Sequence, residues 1–226
     1  GIKTDFIRLK EGNTRINVKL KGKVETEINA RGPKITENDI LKLYEKLDRI
    51  SDGDTLVLAG SVPNGLPKDI YEKILSRLSG KGIRFAVDAT GELLTNVLKY
   101  HPFLIKPNRS ELEEIVSREL SSDKEIASAA TELKQKGAVN VLVSLGGDGA
   151  LLVDEFGKVH REKAVAGKVI NTVGSGDSLV AGFLVGAEKG YEHALRPGRA
   201  AGSATAFSSG LAGKQEIMDI YRKIRT

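Results

Sequence analysis

The feature that most constrains this chain is a repeated pairing: a short apolar run, a small or polar turn, then a stretch of helical period. Thr55–Ala59 is a continuous apolar run closed by Gly60 and followed by helical Pro67–Ser79. Phe85–Val87 ends at Asp88 and leads into helical Gly91–Lys99. Phe103–Ile105 ends at Lys106-Pro107-Asn108 and leads into helical Ser110–Arg118 and Asp123–Lys136, and Val139–Val143 ends at Ser144. Apolar runs without alternation belong to strands buried on both faces. Strands alternating with helices of this length predict a parallel sheet covered on both sides, an α/β fold. A length of 226 residues suits one such domain. Ahead of the first run, Thr36-Glu-Asn-Asp opens a stripe at Ile40, Leu41, Leu43, Tyr44, Leu47 and Ile50, a helix with an N-cap candidate. From Gly176 to the end the pattern is mostly helical, with small residues around Ala200–Ala206 predicted to pack closely.

The opening residues read differently. From Asn13 to Leu20 the chain alternates, with Ile16, Val18 and Leu20 on one face and Arg15, Asn17 and Lys19 on the other. A period of two predicts a half-exposed strand. Val24–Ala30 continues the pattern after the turn-like Lys21-Gly22-Lys23, so a hairpin is expected. Its polar face is either simply solvated or a lid over a polar ligand.

Composition excludes several chemistries. There is no Cys, hence no disulfide or thiolate. The three His, at 101, 160 and 193, have no spacing partners, which excludes a His-rich metal site. Lys and Arg (35) are interleaved with Asp and Glu (30), and aromatics are 5%. That balance suits anionic small molecules and argues against a nucleic-acid partner. The nearly apolar stretch Ser178–Ala187 is too short to span a bilayer, so no membrane association is expected. The start Gly-Ile-Lys-Thr-Asp is not a signal peptide, and the expected location is the cytoplasm.

In an open parallel sheet ligands bind at the carboxyl ends of the strands. Those ends carry Gly60-Ser61-Val62-Pro63, Asp88-Ala-Thr-Gly91, Lys106-Pro-Asn-Arg-Ser-Glu111 and Ser144-Leu-Gly-Gly-Asp-Gly149. Each alone reads equally as a plain turn; their recurrence across strands favours a binding site. The strongest element is Asn171-Thr-Val-Gly-Ser-Gly-Asp-Ser178, which runs straight into an apolar helix. Unpaired N–H groups at a helix start let Gly174, Ser175 and Gly176 close around an anion. Asp177 in the first turn is either a cap or an acid that accepts a proton from an attacking hydroxyl, as phosphoryl transfer requires. No Walker loop and no early Gly-x-Gly-x-x-Gly is present.

Thr172-Val-Gly-Ser-Gly-Asp-Ser178 resembles the C-terminal signature of the ribokinase-like (PfkB) sugar kinases. Lys106–Glu111, Ser144–Gly149 and Gly60–Pro63 follow in that family's order. With Thr14-Arg-Ile-Asn-Val-Lys19 the chain looks most like the branch containing 1-phosphofructokinase and tagatose-6-phosphate kinase. The resemblance runs from Gly1 almost to Thr226. It implies a ribokinase-like sheet flanked by helices with a small β lid, residues 1–35 forming the lid strands and the return to the core. Residues 36–226 are then the nucleotide-binding kinase core. It implies ATP and Mg²⁺, and ATP-dependent phosphorylation of a phosphorylated ketohexose, fructose 1-phosphate giving fructose 1,6-bisphosphate. The alternatives are tagatose-6-phosphate kinase and an inactive nucleotide-binding fragment of such a kinase.

The residue roles carried by the resemblance are as follows. Asp177 matches the catalytic base, and Gly174, Ser175 and Gly176 the anion hole. Glu111, with Asn108, matches the motif that organises magnesium. Ser144, Gly146 and Gly149 match the nucleotide loop, with Lys106 and Ser203 as further nucleotide contacts. Arg15, with Asn17 beside it, matches an arginine meeting the sugar's existing phosphate, and a guanidinium fork suits a phosphate dianion. Ser61 matches a substrate-side contact. A homodimer through the lid is expected. Full-length members open with a strand and a Gly-Gly-rich sugar-binding motif with an early Asp. Gly1 lines up after that motif, so the expectation is a chain lacking its N-terminal part and the sheet's first strands.

Overall fold

Two short strands, β1 (Asn17–Leu20) and β2 (Thr26–Asn29), come first, followed by α1 (Glu37–Leu47), β3 (Thr55–Ala59), α2 (Ile70–Leu78), β4 (Arg84–Asp88) and α3 (Gly91–Thr95). A 3₁₀ turn, Leu98–Tyr100, leads to β5 (Leu104–Ile105), α4 (Arg109–Val116), α5 (Asp123–Gln135) and β6 (Asn140–Ser144). After a second 3₁₀ turn come β7 (Ala150–Val153), β8 (Val159–Glu162), α6 (Ser175–Ala187), α7 (Tyr191–Ala206) and α8 (Lys214–Lys223). This computed structural model describes residues 2–20, 26–63 and 65–224.

The helices start where the sequence supplies caps. Thr36 and Asp39 form a reciprocal pair at α1, Asn108 and Glu111 at α4, and Ser122 and Glu125 at α5. Each box satisfies two otherwise orphaned backbone donors.

The six-stranded sheet has the order β3-β4-β5-β6-β7-β8. β3 to β6 run parallel, as expected, but β7 and β8 are antiparallel to their neighbours. The all-parallel expectation is therefore corrected to a mixed sheet. The reason is the connection after β6: Leu145 N–H donates to Gly149 O at 2.8 Å, closing a tight turn. So short a turn joins only antiparallel neighbours, because a parallel step needs a crossover of roughly a dozen residues.

Thr55–Ala59 also departs from expectation. Among the described residues β3 has β4 on one side only, so it is an edge. Val57 is 44% exposed and only Leu58 is buried. β6, with a neighbour on either side, is buried from Asn140 to Val143, as its apolar run predicts.

The sheet separates two cores. Val87, Ile105, Val141, Val143 and Val153 face one cluster, packed with Leu75, Leu78, Leu112, Ile126 and Leu133 of α2, α4 and α5. Ala86, Leu104, Leu142 and Leu152 face the other, with Leu179, Val180 and Phe183 of α6 and Ala194 and Leu195 of α7. Consecutive residues 141–143 alternate between clusters, the period of a strand. α6 and α7 touch through their backbones. A Cβ on Gly186 would stand 2.7 Å from Ala194 Cα, and one on Gly198 2.9 Å from Leu179 O.

β1 and β2 pair antiparallel from Asn17↔Asn29 to Leu20↔Thr26, which gives the expected hairpin. Lys21-Gly22-Lys23 and Val24, read as its turn and re-entry, lie outside the described residues. The strand was expected to bury one face. Instead Ile16, Val18, Leu20 and Ile28 are all exposed, because no element packs on the apolar side among the described residues.

Candidate active site

The site assembles at the carboxyl ends of β3 to β6. Gly60 N–H donates to Asp88 O at 3.2 Å, and Tyr71 Oη donates to the carbonyls of Ala59 and Gly60 at 3.0 and 3.1 Å, fixing the end of β3. Asp88 is the last residue of β4. Lys106 directly follows β5; it is buried, and its Nζ lies 3.1 Å from Asp88 Oδ1. A buried ammonium needs such a partner, since an isolated charge in the interior is costly. Burial pushes the Asp88 carboxyl above its usual range against the pull of Lys106, and the charges of Asp177 and Glu111 add to the rise. These four groups therefore share one electrostatic neighbourhood.

Asn108 and Ser144 face each other across a bridge between the ends of β5 and β6, with Ser144 N–H donating to Pro107 O at 3.1 Å. Asn108 Oδ1 accepts from Glu111 N–H at 2.9 Å, and Glu111 Oε2 accepts from Asn108 N–H at 2.8 Å. Glu111 thus spends one carboxylate oxygen on starting α4, and its Oε1 makes no hydrogen bond among the described residues.

The start of α6 is where the sequence places a candidate anion cradle. Gly174 has φ +81°, a left-handed conformation natural to glycine, and a Cβ there would stand 2.5 Å from Leu211 Cδ2. Ser175 Oγ donates to Thr172 O at 2.8 Å, and Asn171 Oδ1 accepts from Val173 N–H at 3.2 Å, holding the turn. A Cβ on Gly176 would stand 3.6 Å from Lys106 Nζ, so the lysine lies against the first turn. Asp177 is exposed and α6 has no side-chain cap, which removes the capping alternative. Its carboxylate makes no hydrogen bond among the described residues.

A cleft of about 660 Å³ opens beside this cradle. Asn108, Ser144, Gly146 and Gly149 line it from the strand ends, Ser175, Gly176 and Leu179 from α6, and Ser203, Ala206 and Phe207 from α7. Residues 164–167 and Val169 also line it. The volume lies in the range of small-molecule and cofactor pockets. With an anion cradle at one end and apolar walls beyond, it fits a nucleoside triphosphate. Among the described residues no three His, Asp or Glu side chains gather to hold a metal by themselves. Mg²⁺ usually takes only one or two carboxylates and completes its shell with phosphate oxygens and water. Glu111 and Asp88 at the phosphate end fit that mode.

Most of the residues singled out in the sequence gather here. Asn108, Ser144, Gly146, Gly149, Ser175, Gly176 and Ser203 line the cleft, while Gly174, Asp177, Lys106 and Glu111 border its cradle end. Arg15, Asn17 and Ser61 are exposed and none of them lines the cleft. Sequence reasoning gave two residues no individual role. Asp88 carried a signal, the first polar residue after an apolar run. Arg199 lines the cleft from α7, and its only signal was a long cation inside Gly-Arg-Ala-Ala-Gly.

The family description "pfkB family carbohydrate kinase" matches residues 1–218. The 1-phosphofructokinase of Bacillus subtilis is 41% identical over 226 residues, spanning 99% of this chain and 74% of the relative. The D-tagatose-1-phosphate kinase of Bacillus licheniformis is 39% identical over 219 residues, spanning 96% of this chain and 71% of the relative. The crystal structure of a candidate phosphofructokinase from Staphylococcus aureus superposes with a TM-score of 0.84 at 43% identity, covering 98% of this chain and 72% of that one.

Proposed function

The chain belongs to the pfkB family of carbohydrate kinases, and from that membership we propose that it transfers the terminal phosphoryl group of ATP to the free primary hydroxyl of a ketohexose 1-phosphate. It is a sugar-phosphate kinase, and fructose 1-phosphate giving fructose 1,6-bisphosphate is the leading reaction. Two relatives of about 40% identity are named for ketohexose 1-phosphates, one for fructose and one for tagatose. That favours the 1-phosphates over tagatose 6-phosphate.

The observation that carries the mechanism is Asp177: exposed, without a hydrogen bond among the described residues, on the first turn of a helix that starts beside the cleft. A carboxylate left free in that place is suited to take the proton of the attacking hydroxyl. Bound MgATP supplies the phosphoryl group and a metal charge that offsets the phosphates. Gly174, Ser175 and Gly176 present N–H groups where charge develops on the migrating group, and a preorganised donor set needs no rearrangement during the step. Lys106 brings a cation to the same turn, with Asp88 holding it in place. Asn108 and Glu111 orient the metal-bearing end, while Ser144, Gly146, Gly149 and Ser203 hold the nucleotide. Arg15 and Asn17 meet the sugar's existing phosphate from the lid, with Ser61 on the substrate side. Lid closure over the strand ends brings these exposed groups to the acceptor.

The exposed apolar side of the hairpin, Ile16, Val18, Leu20 and Ile28, supports a homodimer formed lid to lid. A cytoplasmic setting accords with the absence of cysteine and, among the described residues, of any helix able to cross a membrane.

The test is ADP release coupled to NADH oxidation, with fructose 1-phosphate, tagatose 1-phosphate and fructose 6-phosphate as acceptors. Turnover should be fastest on a 1-phosphate, and Arg15→Ala should raise KM for the sugar phosphate and not for ATP. ATP-dependent turnover confined to fructose 6-phosphate would overturn the substrate assignment.

A further inference from the structure

Along α7 the residues lining the cleft run from Phe207 back to Gly198, and Arg199 stands at the far end of that row from the Ala206–Asn171 contact. Ala206, near the C-terminus of α7, accepts from the N–H groups of Ile170 and Asn171 at 2.8 and 3.1 Å, tying that end of the helix to the loop that leads into the cradle. Ser203 lies one turn back and Arg199 another, about 10 Å along the axis from Ala206. Both Arg199 and Ser203 line the cleft.

Among the described residues the guanidinium is held by a single bond, from Nη1 to Glu162 Oε2 on β8 at 2.5 Å. Its Nε is buried without a hydrogen-bond partner, and Nη2 makes none among the described residues. A buried donor left unsatisfied is expensive, and Arg offers only donors. The tether also matters electrostatically. An untethered arginine beside a polyphosphate would be drawn to the phosphates, whereas Glu162 holds this one about one helical turn beyond Gly202, where α7 meets Ser175, and offsets its charge.

We propose that Arg199 reads the base of the donor nucleotide, donating to a base acceptor or lying along the ring face, with Glu162 as its positioning residue. This rests on the nucleotide reading of the cleft and assigns its base end. A guanidinium suits both contacts, having a planar face and several donors in a fixed fork.

The test separates base from phosphate by equilibrium binding, without turnover. ADP and inorganic tripolyphosphate are titrated calorimetrically into the 226-residue protein at fixed ionic strength. Arg199→Leu should weaken ADP by ~10- to 150-fold, the range for one lost charge-assisted contact, and leave tripolyphosphate unchanged. Glu162→Gln, which frees the arginine while keeping a similar shape, should weaken ADP less and tighten tripolyphosphate. Thermal melting checks that each variant folds; if Arg199→Leu does not, Arg199→Lys and Glu162→Gln decide. Unchanged ADP binding, or equal loss for both ligands, overturns the assignment. Wild-type protein that binds tripolyphosphate but ADP no better overturns it too, while leaving a phosphate site. Binding of neither ligand overturns the nucleotide reading of the cleft together with this inference.

Discussion

Gly149 offers the sharpest separation of backbone demand from chemistry. It ends the turn between β6 and β7 with φ 102° and ψ −129°. Holding a residue with a side chain in such a sparsely populated region costs about 1–3 kcal/mol. A Cβ there would overlap the Glu162 carbonyl oxygen and stand 2.6 Å from both the Ala164 nitrogen and the Lys163 carbonyl carbon. All three are backbone atoms, which cannot rotate away, so overpacking adds about 1–3 kcal/mol more. Gly149→Ala should therefore lose roughly 2–6 kcal/mol, or about 4–24 °C in Tm for a chain of this size. The backbone pushed aside continues into Ala164–Gly167, which line the cleft, so ADP affinity should fall as well. Gly147, two residues earlier, is the control. Its φ is not positive and a Cβ on it would meet nothing within 4 Å. Gly147→Ala should stay within ~0.5 kcal/mol of wild type. Differential scanning calorimetry on both variants, and ADP titration on Gly149→Ala, decide the matter. A Gly149→Ala protein melting within about 2 °C of wild type, or a Gly147→Ala protein damaged as badly, would refute the argument.

Asp177→Asn should fold and bind ADP normally while kcat falls by ~10²–10⁴; stopped-flow or coupled kinetics showing near wild-type turnover would remove the base assignment. Ile28→Lys, which places a charge on the exposed apolar side of the hairpin, should shift a lid-mediated dimer to monomer in sedimentation velocity, and an unchanged mass would place any dimer elsewhere. Burial raises the Asp154 carboxyl, but hydrogen bonds from His160 and from the N–H groups of Lys158 and Phe156 outweigh it, and the group is held below its ordinary range. Its folded value is depressed, so its stabilisation is present above the unfolded carboxylate pKa of about 3.9 and is lost as pH falls through the lower folded value. The stability gap between wild type and Asp154→Asn in urea should therefore be wide at neutral pH and narrow on acidification below that unfolded value; a gap constant with pH counts against the hydrogen-bonded carboxylate as its source.

The parallel half of the sheet was legible because β3, β4 and β5 are each followed by a helical segment and the continuous apolar run of β6 by a polar end. β7 and β8 escaped because Val159–Glu162 carries His, Arg and Glu on a half-exposed strand and Ala150–Val153 follows Gly149 too closely to look like a separate element. The burial of β3 was overestimated, since an apolar run records only side-chain character and not whether a neighbour lies on both sides. The start of α6 was readable from Gly174-Ser175-Gly176 because small residues there run straight into an apolar stretch. Asp88 and Arg199 were harder to find: a lone Asp after a strand reads as a turn, and a lone Arg in a helix reads as surface. Only the fold shows that the first meets Lys106 and the second lines a cleft.

The glycine contacts between α6 and α7 fix more than the packing of one core. With Gly186 against Ala194 and Gly198 against Leu179, the two helices have no intervening side chains through which to slide. The cradle belongs to one helix and Ser203 and Arg199 to the other, so the span between them acts as a rigid gauge of ligand length. In the proposed nucleotide site a nucleoside monophosphate would engage only one end of that gauge at a time, and inorganic phosphate would not reach the second. Discrimination among adenylates would then depend on reach, set by where two backbones touch, as well as on the groups that contact the ligand.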